Sequence, residues 1–137
     1  MKRSIALLLL LLTVFTHGAE EVRFERVPEG GVLPQVTTTR DGTLHLVYLT
    51  GDPRGGDVRY VTKQSGAAGW STPRTLNSTP ATAVAAGTIR GAQIAVGKDD
   101  SLHVVWNGPG GKNQPAPLLY TRSLDHGGTF EKQRDLR

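Results

Sequence analysis

Apolar and polar positions in this chain fall into short runs, and beyond residue 19 none keeps a 3.6-residue period. Residues 35–39 are rich in β-branched side chains and close on the turn Arg40-Asp41-Gly42. Residues 43–49 are apolar at nearly every position, as expected of a strand covered on both faces. Residues 57–63 alternate. Residues 69–76 read as a broken outer strand, with Pro73 tolerable at an edge. Before them, residues 22–27 read as a displaced strand. The pattern predicts an all-β chain without helix after its first segment.

That first segment is of another kind. Lys2 and Arg3 precede an apolar run over residues 5–15, followed by the small-residue stretch Thr16-His17-Gly18-Ala19. As a helix the run would reach only about 16 Å, short of the ~30 Å hydrocarbon core. Residues 1–19 are therefore expected to be a signal peptide, leaving a secreted or periplasmic protein with no membrane span after cleavage. With no Cys following the run, a lipoprotein anchor is excluded.

The remaining pattern occurs twice. Residues 35–48 align with residues 93–106 at an offset of 58, each copy reading Gln, aliphatic, a short strand, a basic residue, Asp and a small turn residue. Leu44-His45-Leu46-Val47-Tyr48 then matches Leu102-His103-Val104-Val105-Trp106. After a loop of unequal length the match resumes at an offset of 60, with Tyr60 over Tyr120, Trp70 over Phe130, Arg74 over Arg134 and Leu76 over Leu136. A four-stranded meander recurring every ~50–60 residues is the unit of a β-propeller blade. Blade one is expected at about 32–78 and blade two at about 89–137, within a partial propeller over residues 20–137.

Composition narrows the chemistry. The chain has 137 residues, 37% of them hydrophobic, with 16 Lys and Arg against 12 Asp and Glu. Without Lys2 and Arg3 the excess of positive charge falls from +4 to +2 and is spread along the chain, so no nucleic-acid partner is expected. No cysteine means no disulfide, no thiolate metal site and no Cys nucleophile. No pair of His has zinc spacing, and neither a metal nor a cofactor is expected. Gly108-Pro109-Gly110-Gly111-Lys112 is phosphate-loop-like in composition only, lacking the following Ser or Thr.

The second copy contains Ser123-Leu124-Asp125-His126-Gly127-Gly128-Thr129-Phe130. These residues match the Asp-box, Ser-x-Asp-x-Gly-x-Thr-aromatic, and the chain resembles the sialidase (neuraminidase) superfamily with its bacterial neuraminidase repeats. The first copy's equivalent, Ser65-Gly66-Ala67-Ala68-Gly69-Trp70, keeps glycines and the aromatic but lacks the Asp. The resemblance implies a six-bladed propeller, a glycan or glycoconjugate as partner, and exo-α-sialidase chemistry. The Asp-box residues Ser123, Asp125, Gly127, Thr129 and Phe130 are expected to be structural: a carboxylate at a turn accepts N–H bonds while Gly supplies positive φ. The alternative is a non-catalytic secreted binding or scaffold propeller.

Sialidases, as the resemblance implies, use three arginines, a Tyr–Glu pair and an Asp acid/base. Only Arg90 is carried over among the arginines, because Thr88-Ile89-Arg90-Gly91-Ala92 stands before an innermost strand as the family's aromatic-Arg-Ile-Pro segment does. The Pro is missing here, and Val32-Leu33-Pro34 has the Pro without the Arg. Gln35 and Gln93 are expected to begin channel-lining strands and join Arg90 in binding substrate. Tyr48, Tyr60 and Tyr120 read as packing residues, and Glu29 has no identifiable partner. Asp52 and Asp57 flank a Gly-rich loop and read as capping groups, and His45 and His103 as repeated packing residues. No catalytic residue is assigned.

Strand parity puts the 40–42 and 98–100 turns at the Asp-box end and the loops 50–56, 77–90 and 107–117 at the other, where a ligand site is expected. Two blades cannot close a ring, and propellers typically need four or more. The expectation is a partial member of a larger propeller or, second, a protomer that assembles with further blades or copies.

Overall fold

The computed structural model describes residues 22–137; the signal-peptide expectation for residues 1–19 lies outside them. Eight strands follow in order: β1 (Val32–Thr38), β2 (Leu44–Asp52), β3 (Gly55–Lys63), β4 (Arg74–Thr75), β5 (Gln93–Val96), β6 (Leu102–Asn107), β7 (Leu118–Ser123) and β8 (Arg134–Asp135). They form two four-stranded antiparallel meanders, β1-β2-β3-β4 and β5-β6-β7-β8. The only helical pieces among the described residues are two three-residue 3-10 turns, Pro28–Gly30 and Lys98–Asp100.

The internal repeat is visible in the register. Leu46 pairs with Val61 and Val47 with Tyr60; in the second sheet Val104 pairs with Thr121 and Val105 with Tyr120. Equivalent residues thus occupy equivalent ladder positions. Side chains alternate across a strand, so β2 sends His45, Val47 and Leu49 to one face and Leu44, Leu46 and Tyr48 to the other. In β6 the corresponding sets are His103, Val105 and Asn107 against Leu102, Val104 and Trp106.

The two sheets stack by unlike faces. Val47, Leu49, Val58 and Tyr60 of the first sheet share one core with Leu102, Val104, Trp106 and Leu119 of the second. Ile94 and Phe130 pack onto that core, and Ala83 and Ala92 of the connecting segment close it. β1 lies alongside β5. The Trp106 ring is 1% exposed and its indole N–H donates to the Thr82 carbonyl at 3.1 Å, so the largest core side chain keeps its one polar atom satisfied.

Two details depart from the sequence expectation. The outer strands are dipeptides, β4 and β8, although Ser71 N–H to Thr62 O (2.8 Å) and Leu76 N–H to Val58 O (2.9 Å) continue the first ladder beyond β4. Residues 22–27 form no strand. A strand needs a sheet edge to receive its hydrogen bonds. This segment instead meets the open face of the first sheet, where Val27 packs on the Leu46, Tyr48 and Val61 cluster and Glu25 pairs with Lys63.

The connecting segment is tied down by backbone bonds. Gly56 and Ala83 exchange a pair (2.8 and 2.9 Å), Ala85 N–H reaches Pro53 O (2.7 Å) and Val84 N–H reaches Asn107 O (2.9 Å). Trp106→Ala is expected to cost about 3–5 kcal/mol, whereas Val36→Ala, at a side chain 59% exposed, should stay within about 0.5 kcal/mol. Urea unfolding followed by circular dichroism measures both.

Candidate functional site

Each sheet has two ends, and the polar residues divide between them. One end holds the β1–β2, β3–β4, β5–β6 and β7–β8 connections, because Leu44 is opposite Lys63 and Leu102 opposite Ser123. The other holds the β2–β3 turn, the β6–β7 loop and the 76–92 connection.

At the first end the 123–130 turn is a closed hydrogen-bond cage. Asp125 Oδ1 accepts from the Ser123 hydroxyl at 2.7 Å and from the Thr129 N–H at 2.8 Å, and Oδ2 accepts from the Thr129 hydroxyl at 2.7 Å. Ser123 Oγ in turn accepts the Gly127 N–H at 2.8 Å. Those donors, the Thr129 N–H foremost, hold the Asp125 carboxyl well below the usual carboxylate range. The chain turns through left-handed backbone at His126 (φ 55) and Gly127 (φ 86), and a Cβ at Gly127 would overlap the Tyr60 hydroxyl. Phe130 meets the Tyr60 ring edge-on at 4.9 Å. A carboxylate held ionised in this way is a weak base, ill suited to taking up a proton in catalysis.

The same device occurs in shorter form at the 40–42 turn. Asp41 accepts from the Thr39 hydroxyl (2.7 Å), the Thr43 N–H (3.0 Å) and the Thr43 hydroxyl (2.9 Å). Its pKa is brought down to about 2, the Thr39 hydroxyl being the largest cause. Thr39-x-Asp41-x-Thr43 was the available signal.

His45 and His103 are members of matched polar chains. His45 Nδ1 lies 2.7 Å from the Tyr60 hydroxyl and Nε2 3.1 Å from Thr39 Oγ1; His103 Nδ1 lies 2.7 Å from the Tyr120 hydroxyl and Nε2 3.1 Å from Ser101 Oγ. Thr39 Oγ1 already donates to Asp41, and Ser101 Oγ to the Lys98 carbonyl (2.8 Å), so each can only accept from the imidazole. Both rings are therefore assigned the Nε2–H tautomer, with Nδ1 accepting from tyrosine. Burial pushes the His45 pKa below its ordinary 6.5. Repetition with the same partners marks these as scaffold.

At the other end the expected binding residues are spread out. Arg90 is exposed at the close of the connecting segment, Gln93 is exposed at the start of β5, and Gln35 is half-buried within β1. Gln35 and Gln93 hold equivalent positions opposite Val47 and Val105. Gln93 donates to the neighbouring Ala92 carbonyl at 3.2 Å. Asp52 accepts the Arg54 N–H at 2.8 Å, a turn cap. Asp57 accepts from Asn77 (2.7 Å) and from the Ala81 N–H (2.9 Å), latching the connecting segment to β3. Among the described residues no cluster of three His, Asp or Glu could hold a metal ion.

One pairing was not foreseen. Glu29, in the 3-10 turn before β1, accepts the Tyr48 hydroxyl at 3.0 Å, and its two oxygens take the Arg59 guanidinium at 2.9 and 2.8 Å. The residues are 19 and 30 positions apart from Glu29, so only the β2–β3 pairing of Tyr48 with Arg59 brings them together. The tyrosine is fully buried, and desolvation with the hydrogen bond to Glu29 pushes its pKa up to about 12. That direction is opposite to what an activated phenolate nucleophile requires. The sequence matches no protein-family model and no curated protein.

Tyr60→Phe is expected to leave His45 Nδ1 buried without its donor and to cost about 1–3 kcal/mol. The pH dependence has a definite sign. Below about pH 6.5 the unfolded chain protonates a histidine that the folded chain keeps neutral, so stability falls as pH drops through that range. A second loss begins below about pH 4 and continues toward about 2 as caged Asp41 is protonated. Urea midpoints between pH 3 and 8 measure both steps.

Proposed function

We propose that the chain is a secreted, sialidase-like Asp-box protein whose two sheets are blades of a six-bladed β-propeller, and that it serves in glycan recognition. The observation that carries this reading is the 123–130 turn: its Ser, Asp, Gly, Thr and aromatic residues all take part in one cage that seats Phe130 on the preceding sheet. The repeat in register supports the blade assignment. A glycan would meet the end formed by the Pro53-Arg54 turn, which the β2–β3 ladder leaves of the expected 50–56 loop, the connecting segment 77–90 and the 108–117 loop, where Arg90 offers a cation to an acidic sugar and Gln93 and Gln35 offer amides.

A second reading, that the protein binds or scaffolds without hydrolysing, is favoured over the enzyme by the state of Tyr48. Its hydroxyl is the phenol held by a glutamate, and it is buried with a raised pKa. The purified chain is therefore expected to give no turnover of a fluorogenic sialoside. Turnover above the buffer rate, lost in Tyr48→Phe, would reverse that reading. Binding is read by titrating sialyllactose against the chain and Arg90→Ala; a loss of at least about tenfold in affinity is expected in the variant, and no binding by either chain would sink the glycan assignment.

A further inference from the structure

The two sheets of this chain meet through one face of each, and the faces left over are the complementary halves of that same interface. In the filled interface the first sheet contributes His45, Val47, Tyr60 and Arg74. Their equivalents His103, Val105, Tyr120 and Arg134 lie on the far face of the second sheet. The second sheet contributes Ile94, Leu102, Val104 and Phe130. Their equivalents in the first sheet are Val36, Leu44, Leu46 and Trp70, and these four line a cavity of about 430 Å³ on its outer face. The buried Trp70 indole nitrogen in that wall has no hydrogen-bond partner, and Val36 is 59% exposed.

The polar details repeat as well. In the filled interface Arg74 lies over the Tyr60 ring (5.3 Å) and the Phe130 ring (5.9 Å) and donates to the carbonyls of Gly127 and Gly128, the latter at 2.6 Å. On the open face Arg134 already lies over the Tyr120 ring at 4.8 Å, and His103 already holds the Tyr120 hydroxyl. The receiving side is built.

From this we infer that the chain associates head to tail with a second copy of itself, the far face of one copy's second sheet docking on the outer face of the next copy's first sheet. Arg134 then reaches the carbonyls of the 65–70 turn of the second copy as Arg74 reaches Gly127 and Gly128. This rests on the repeat geometry and not on the glycan assignment. Glu25, Arg26 and Val27 border the groove, and Val27 adds apolar surface there by packing on the Leu46, Tyr48 and Val61 cluster. A whole sheet face measures at most about 350 Å² from strands of about 18 Å at about 4.8 Å spacing, and Val27 and Trp70 already cover part of the first sheet's. Docking then covers no more than roughly 700 Å², below the standard interface of about 1,600 Å². The association is accordingly weak and concentration-dependent. Because the interface is heterologous, successive copies form a ring if the rotation closes and an open chain if it does not.

Sedimentation velocity of the purified chain from about 1 to 300 µM, a range set by an interface of that size, tests this. The expected result is a weight-average sedimentation coefficient that rises with concentration. Arg134→Glu spoils one face and Val36→Asp the other, both at exposed positions, and each variant alone should remain monomeric. Mixed, the two variants should form a one-to-one dimer, since each retains the face the other lacks. Arg134→Ala and Val36→Lys stand in for either variant whose circular dichroism departs from that of the parent. A chain that stays monomeric throughout, association that survives both substitutions, or a mixture that stays monomeric would each overturn the inference.

Discussion

A sheet that is apolar on both faces must be covered on both, and this constraint governs the molecule. In the first sheet one face, with Val47, Leu49, Val58 and Tyr60, is covered by the second sheet. The other, with Leu46, Tyr48 and Val61, is covered in part by Val27 and Trp70. The two faces differ in kind, so sheets of this type stack only in one sense, and the interface between β1–β4 and β5–β8 has a direction. Tyr60 is its centre: it packs on Phe130, carries Arg74 over its ring and hydrogen-bonds His45.

The polar residues serve the same packing. Two caged aspartates, Asp41 and Asp125, tie off the chain at one end of the sheets, and their ionised form is stabilised by donors whose geometry is local. Two histidine–tyrosine pairs, His45–Tyr60 in the layer between the sheets and His103–Tyr120 on the far face of the second sheet, hold their hydroxyl and imidazole groups without leaving any of them unpaired, which is the condition for burying them cheaply. Glu29 does the same for the Tyr48 hydroxyl, with Arg59 balancing its charge. The opposite end is left to longer loops and the connecting segment, with Arg90 and Gln93 exposed there.

Much of this was legible in the residues. The alternation in 57–63 and the apolar run in 43–49 located β3 and β2, and the offsets of 60 and 58 residues located their counterparts β7 and β6, because a repeated pattern places equivalent side chains on equivalent ladder positions. The roles of Asp52 and Asp57 as turn and segment caps follow from their neighbours. The first outer strand is shorter than the pattern implied, because edge pairing is decided by a few hydrogen bonds and the sequence there carries Pro73 with Ser71 and Thr72 before it. Residues 22–27 alternate like a strand yet lie against a face, because periodicity reports which side chains can be buried together and not which backbone edge is free.

The sequence by itself determined the all-β character, the repeat, the turn residues and the cage at 123–130, since each depends on neighbours within a few positions. Tertiary structure alone decided which face of each sheet is buried, that Glu29 meets Tyr48 and Arg59, and that Arg74 reaches the carbonyls of Gly127 and Gly128. Those contacts join residues 19 to 54 positions apart. They exist only once strands have paired and sheets have stacked, and the alternation of side chains is the same whichever face turns inward.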